Sequence, residues 1–367
     1  MHITRLEIQD FRNYERLELD PSPSLTVLVG PNTAGKTNLI EAISIVTAGS
    51  SFRKPLWDDC VRWGCSRASL TMTARGEIPP VTTRLSLSLG SGREWVVDGV
   101  RKRRAVEVSR FVPAVLFTPD DLSLIKGPAE QRRSAIDGLG EQLSVTYGAL
   151  RRDYVRVVRQ KNAVLREEGD QRSIEPWDAQ LIALGARLYV HRRRLLDRVT
   201  TEAARAYEHL SGGERLEVGL HDRCGVGERT GPEEVGARDV EACLAAELDR
   251  RRTEERARRV SLAGPHRDDI VFSIGGRDAR SFGSQGQQRT VALAWKLAEV
   301  GVIAEVLRRT PVLLLDDVMS ELDASRRDAL TALIQQDIQT FVTTTNTGYF
   351  DPTLLASALV VPIGGPL

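Results

Sequence analysis

The segment Gly30-Pro31-Asn32-Thr33-Ala34-Gly35-Lys36-Thr37 leaves this chain few folds to choose from. It spells G-x-x-x-x-G-K-T, a phosphate-binding loop that works only where a buried strand runs into it and a helix leaves it. Both neighbours are present. Leu25-Thr-Val-Leu-Val29 is a continuous apolar run of the kind buried on both faces of a sheet, and Leu39, Ile40, Ile43 and Val46 recur at helical spacing beyond Lys36. The glycines let backbone N–H groups turn inward around a β-phosphate, and the helix dipole favours the anion. Lys36 is expected to reach the β- and γ-phosphates of ATP, and the Thr37 hydroxyl to hold Mg²⁺.

A phosphate loop needs an acidic partner. Val312-Leu-Leu-Leu-Asp316-Asp317 supplies one, an apolar strand that delivers carboxylates at its C-terminal end, where open α/β sheets bind ligands. Asp316 is expected to orient Mg²⁺ and Asp317 to polarise the attacking water. Asp316 lies 280 residues beyond Lys36, more than a small-molecule kinase or an ordinary GTPase needs, so something sizeable is inserted between the two.

The insert shows in the patterning. Residues 3–19 and 68–98 alternate like antiparallel strands, with turns at Pro79-Pro80 and Gly90-Ser-Gly92. Over 141–168 and 176–209 helical spacing with abundant Arg takes over, and residues 151–205 carry 13 Lys and Arg against 8 Asp and Glu. Heptads are not sustained, which argues against a coiled-coil arm. A polar loop covers about 222–237 and a charged helix 239–259, followed by a strand at 269–275 and a helix at 285–307. The chain ends with a strand at 311–315, a helix at 324–336 and a strand at 340–345. The expected fold class is α/β, with a core built from both ends of the chain and a mainly helical lobe between them. The expected boundaries are 1–117, 118–255 for the helical lobe, and 256–367.

Composition matters mainly for what it excludes. With 51 basic and 50 acidic residues the net charge is +1, so any attraction to an acidic partner has to come from local patches. Cys60, Cys65, Cys224 and Cys243 have no C-x-x-C spacing, and reduced thiols are expected rather than a zinc site. The N-terminal residues lack a charged stretch followed by an apolar one, and no run approaches the ~20 apolar residues of a membrane span. A cytoplasmic protein with no membrane partner is expected.

Two further motifs frame the acidic strand. Gly283-Ser284-Gln285-Gly286-Gln287-Gln288-Arg289 opens a helix before it, and Ser320-Glu321-Leu322-Asp323 follows it. In this order the motifs resemble the ABC ATPase superfamily: Walker A, signature, Walker B and D-loop. The implied head carries a mixed sheet with an antiparallel β part. Leu210-Ser211-Gly212-Gly213-Glu214 matches the signature string better than 284–288 does, but its position is wrong. The signature must open the helix leading into the Walker B strand, and Ser284 lies 32 residues before Asp316 whereas Ser211 lies 105 before it. Residues 210–214 therefore read as a turn at a helix end.

Within that superfamily the chain resembles the RecF family of bacterial recombination-repair ATPases, relatives of the SMC heads. The match rests on Leu6-Glu-Ile-Gln-Asp-Phe11-Arg12-Asn13-Tyr14, the phosphate loop, Thr118-Pro119-Asp120-Asp121, Gly127-Pro128 and Arg132-Arg133-Ser134. It continues through Gly264-Pro265-His266-Arg267-Asp268, the Ser284 motif and the Asp316–Asp323 segment. The resemblance implies an ATP-dependent homodimer on DNA, with Ser284, Gly286 and Gln287 of one chain completing the ATP site of the other. Arg12 and Asn13 join the nucleotide contacts. It also implies slow, DNA-stimulated hydrolysis, and delivery of RecA to gapped or junction DNA with RecO and RecR.

Two departures from transport ATPases point to slow turnover. Asp317 stands where those enzymes carry Glu, and Thr345 stands where they carry a switch His, a role threonine cannot fill as a cation. Asp120 is the candidate for the Q-loop by position alone. The alternatives are the ATPase subunit of an ABC transporter, disfavoured by the missing switch His and the lack of a clear Q-loop Gln, and an SMC-type tether, disfavoured by an insert without the length and heptads for arms. Candidate phosphate contacts to DNA are Arg101–Arg104, Arg151, Arg152, Arg156, Arg159 and Arg192–Arg194, though a mixed-charge helix face is the plainer reading of any one of them. His266 reads as structural.

Overall fold

The computed structural model describes residues 1–53, 55–76, 79–90, 92–102, 111–226, 235–336 and 338–364. The chain forms two compact units, Met1–Asp121 with Glu299–Leu367, and Leu122–Ala298. The first unit joins both chain ends around a five-stranded sheet and a six-stranded one.

In chain order the strands of the first unit are β1 (His2–Phe11), β2 (Tyr14–Leu19), β3 (Leu25–Val29), β4 (Arg67–Arg75), β5 (Val81–Ser88), β6 (Gly92–Val97), β7 (Val100–Lys102) and β8 (Ala114–Phe117). After the second unit, which holds β9 (Leu216–His221), β10 (Asp269–Ile274) and β11 (Arg277–Asp278), come β12 (Val312–Asp316), β13 (Thr340–Thr344) and β14 (Leu359–Pro362). The five-stranded sheet runs β14-β3-β13-β12-β8, and all its pairings are parallel. Every residue of β12 and β13 is buried, as expected for central parallel strands covered on both faces. The six-stranded sheet, β2-β1-β4-β5-β6-β7, is antiparallel throughout. The parallel and antiparallel parts are thus separate sheets within one unit.

Helix α1 (Lys36–Ala48) is buried over most of its surface, with Glu41, Ser44 and Thr47 buried alongside its apolar residues. Ile40 and Ile43 share one core cluster with Ile3, Leu6 and Leu70 of the antiparallel sheet and with Leu314 of β12. Each such side chain removed from water contributes about 1.5–3 kcal/mol. Gln339 ties the antiparallel sheet to the loop before β3. Its amide accepts from Ile3 N–H at 2.6 Å and donates to Ile3 O and Ser22 O at 2.8 and 2.9 Å.

The second unit contains helices Ala129–Leu143, Val145–Arg166, Gln171–Ser211 and Ala237–Arg258 and the small antiparallel sheet β11-β10-β9. The Gln171–Ser211 helix has 41 residues, about 60 Å. Asp170 caps it, and Pro176 lies inside its second turn, where the missing N–H leaves the Arg172 carbonyl without its helical donor. The helix stops at Gly212 and Gly213, both left-handed, before β9. The second unit reaches past residue 255, and residues 256–298 group with it rather than with the first unit. The physical reason is the pairing of β10 along the whole of β9, reinforced by the Arg132–Asp269 ion pair at 2.7 Å. The loop expected at 222–237 lies partly outside the described residues.

Candidate functional site

The phosphate loop joins β3 to α1. Gly30 has no room for a side chain, because a Cβ there would lie 2.2 Å from Ile363 O. Gly35 is left-handed at φ 104°, and a Cβ on it would lie 2.4 Å from Asn13 Nδ2. Thr33 is also left-handed at φ 70°, unusual for a β-branched residue and typical of strain held at a working site. Lys36 Nζ donates to Gly30 O and Pro31 O at 2.7 and 2.8 Å, so its ammonium sits over the loop carbonyls.

Arg12 and Asn13 form the tight turn between β1 and β2, beside the loop. Asn13 Nδ2 donates to Ala34 O at 3.3 Å and Tyr14 OH to Gly35 O at 3.0 Å. The Arg12 guanidinium forms a fork on buried Glu41 at 3.0 and 2.8 Å, and its remaining nitrogen donates to Asp59 O at 2.9 Å. Arg12 therefore braces α1 against the β1–β2 turn.

The parallel sheet brings Asp316, at the end of β12, to the first turn of α1. Thr37 Oγ1 donates to Asp316 Oδ1 at 3.0 Å, and Thr343 Oγ1 donates to the same oxygen at 2.9 Å. Burial pushes the Asp316 carboxyl upward, and the two hydroxyls pull it back toward its ionised form. Thr343 also accepts from Asp317 N–H at 2.8 Å, which helps hold Asp317 at φ 53°. That left-handed conformation costs an L-residue about 1–2 kcal/mol, and Asp tolerates it better than most. Asp317 Oδ1 is buried and has no hydrogen-bond partner.

These groups fit Mg²⁺. Thr37 and Asp316 place two hard oxygen ligands side by side, and the orphaned Asp317 oxygen is suited to a bound or attacking water. Among the described residues no cluster of three His, Cys, Asp or Glu could hold a metal ion. Mg²⁺ is the ion that manages with one or two protein oxygens plus phosphates and water.

Thr345 lies just beyond β13 and is exposed. Asp120 is exposed in the short helical turn after β8. Three side chains near the loop were not anticipated from sequence: Asn38, Thr343 and Arg53. Arg53 donates to Asn38 Oδ1 at 2.8 Å, and Asn38 donates to Asn13 Oδ1 at 2.7 Å. An open cavity of about 1010 Å³ runs from Arg12, Asn13 and Asn38 past Arg53 to Trp63, which is 98% exposed. Basic Phe52-Arg53-Lys54 just past the glycine end of α1 was the available signal for Arg53.

Ser284, Gly286 and Gln287 lie in the second unit, at the start of helix Gln285–Leu307. Ser284 N–H donates to Gln287 Oε1 at 2.9 Å and Gln287 N–H to Ser284 Oγ at 3.1 Å, a reciprocal capping box. The competing string 210–214 is a helix end, as its position implied.

The Gly264–Asp268 motif is structural within the second unit. His266 Nδ1 lies 2.7 Å from Tyr154 OH, and burial pushes its pKa down to about 3. Arg192 cannot serve as a DNA contact, because it is buried in an ion pair with Asp137 at 3.1 Å and donates to Pro265 O at 2.7 Å. Arg151 is engaged with Asp137 and Glu141 at 3.0 and 2.7 Å. Arg156 and Arg159 are exposed, while Arg103 and Arg104 lie outside the described residues.

The model of the RecF/RecN/SMC N terminal domain family matches residues 2–357. A DNA replication and repair protein RecF from Symbiobacterium thermophilum is 39% identical over 355 residues, 94% of this chain and 92% of the relative. The chain belongs to the RecF family. A second relative so named, from Heliobacterium modesticaldum, is 38% identical over 98% of this chain and 96% of its own length. Among solved structures, that of the recombination mediator protein RecF-ATP in the RecFOR pathway has a TM-score of 0.86 at 26% identity, covering 95% of this chain and 93% of that one. An Smc head bound to the C-winged helix domain of ScpA shares the fold, with a TM-score of 0.56 at 16% identity, covering 99% of this chain and 94% of that one.

Proposed function

We propose that this RecF-family chain binds and hydrolyses ATP with Mg²⁺ in DNA repair, using the nucleotide as a switch for DNA binding. The observation that carries the reading is the cluster of Lys36, Thr37, Asp316 and the unpartnered Asp317 oxygen around the phosphate loop. Thr37 and Asp316 would hold Mg²⁺, which neutralises charge on the phosphate oxygens when bound. Lys36 would leave the loop carbonyls for the β- and γ-phosphates, and Asp317 would take a proton from the attacking water.

ATP would join two chains, Ser284 of each donating to the γ-phosphate held by the other. Hydrolysis would then release the dimer, slowly, because Asp317 is one methylene short of Glu and Thr345 supplies no charge. Family membership supports action at gapped or duplex–single-strand junctions, helping RecA to load with RecO and RecR. The transporter reading is weaker, because Thr345 stands where that class carries its switch His and the full-length relatives at 38–39% identity are RecF proteins.

The direct test is fluorescence anisotropy of a duplex with a single-stranded tail, with and without Mg-ATP. Binding should require nucleotide and vanish in Lys36→Met. Equal, negligible binding in both conditions would sink the proposal. Mixing Lys36→Met with Ser284→Arg chains tests the shared site: some activity should return, and none at any ratio would count against it.

A further inference from the structure

The signature turn is held from behind by the string that imitates it. Glu214 ends Leu210-Ser211-Gly212-Gly213-Glu214, and its carboxylate accepts from Gln287 Nε2 at 3.1 and 3.2 Å. Glu214 is itself anchored, since buried Tyr207, in the last turns of the long helix, donates its hydroxyl to Oε2 at 2.9 Å. The Ser211 hydroxyl accepts from Glu214 N–H at 3.1 Å and fixes the backbone there.

The orientation of one amide depends on this arrangement. A glutamine amide has an oxygen end and a nitrogen end, and only one way round suits both its neighbours. With Nε2 on the carboxylate, Oε1 faces Ser284 N–H at 2.9 Å. A carboxylate only accepts, so it rejects the flipped amide, whose oxygen would face it. Ser284 Oγ meanwhile accepts from Gln287 N–H, so the capping box uses the serine as an acceptor and leaves its proton to be donated elsewhere.

The geometry points to Glu214, backed by Tyr207, as a positioning residue for the signature: it locks the Gln287 amide so that Ser284 presents its hydroxyl proton to the γ-phosphate bound by a second copy of this chain. This rests on the reading that Ser284 completes the partner's ATP site. Glu214 acts through Gln287, and the charge on its carboxylate strengthens the bond it accepts.

The test compares Glu214→Ala, Glu214→Gln and Ser284→Arg by ATP-dependent dimerisation, read by sedimentation across a range of protein concentration. Nucleotide affinity of the monomer and Tm are measured alongside. Glu214→Ala should weaken dimerisation about tenfold, or ~1.4 kcal/mol, at unchanged monomer affinity for ATP and unchanged Tm. Glu214→Gln keeps an acceptor oxygen and should recover most of the loss. If Glu214→Ala dimerises like wild type while Ser284→Arg does not, the positioning role is overturned and the shared site stands. If Ser284→Arg also dimerises like wild type, the shared site has failed and takes this inference with it. Equal losses in Ala and Gln variants with a lowered Tm would reduce Glu214 to a structural residue and overturn the proposal.

Discussion

Buried carboxylates meet different neighbours in the two units. In the second unit they face arginines and a lysine, although Asp268 Oδ2 has no hydrogen-bond partner. Arg192 meets Asp137, Lys161 is fully buried between Asp178 and Glu255 at 2.7 and 2.6 Å, and Arg132 forks onto Asp269. In the first unit the strand ends gather Asp316 and Asp317 with hydroxyls and one orphaned carboxylate oxygen. Satisfied networks make a lobe rigid, whereas an unsatisfied acid beside a phosphate loop keeps its bonding capacity for a ligand.

The comparison breaks first at Asp317. Asp317→Asn should leave ATP binding intact and slow hydrolysis by roughly 10²–10⁴-fold, the usual share of a general base. Single-turnover phosphate release checks it, and an unchanged rate would remove Asp317 from the chemistry. In the paired unit the equivalent insult is to stability. Arg192→Met leaves buried Asp137 with Arg151 and Tyr147 alone and removes the donor to Pro265 O, which should cost about 1–3 kcal/mol and lower Tm by roughly 5 °C. A Tm within a degree of wild type would mean that the network is not what holds the helices.

A pH series sharpens the contrast. His266 is neutral in the fold, pushed from 6.5 down to about 3, so it adds stability that is present above 6.5 and lost as pH falls through 3. Asp268 runs the other way: pushed from 3.8 up to about 7 by burial, it adds stability that is full below 3.8 and lost as pH rises through 7. Between those limits the slopes oppose each other. His266→Asn removes one of them, so the variant should start less stable at neutral pH yet lose less on acidification than wild type. The difference should reach about 1.4 kcal/mol per pH unit, read by urea melts from neutral to pH 4. Parallel melts would deny His266 a buried, neutral state. The smallest effect is expected at Tyr14→Phe, which removes the bond to Gly35 O and should cost about 1 kcal/mol, seen as a modest rise in nucleotide Kd.

How much of this was legible follows from where the physics is local. The phosphate loop, its strand and its helix are contiguous; local patterns placed β12, β13 and the Gln285–Leu307 helix within a residue, and the alternation over 68–98 covers β4, β5 and β6. Arg192 was misleading because a charge on a helix reads as solvated until a neighbour is known, and Asp137 lies on another helix. Thr343 was invisible for the same reason, since its partner Asp316 lies 27 residues away on another strand, whereas Arg53 left only a faint signal in the basic residues just past α1. The second unit runs on past 255 because β10 pairs back to β9, a contact between strands distant in sequence that no local pattern records.

Sequence alone determined that a strand, a glycine-rich turn and a helix would cradle phosphate at Gly30–Thr37, because glycine spacing and apolar runs act within a few residues. It also put two acids at the end of a buried strand. Only the tertiary structure decided that Thr37 and Asp316 would share a bond at 3.0 Å, that Asp317 would keep a buried oxygen unpartnered, and that Glu214 would stand behind Gln287. Parallel strands need long crossovers, so the groups they bring together are far apart in the chain, and no local pattern records such a meeting.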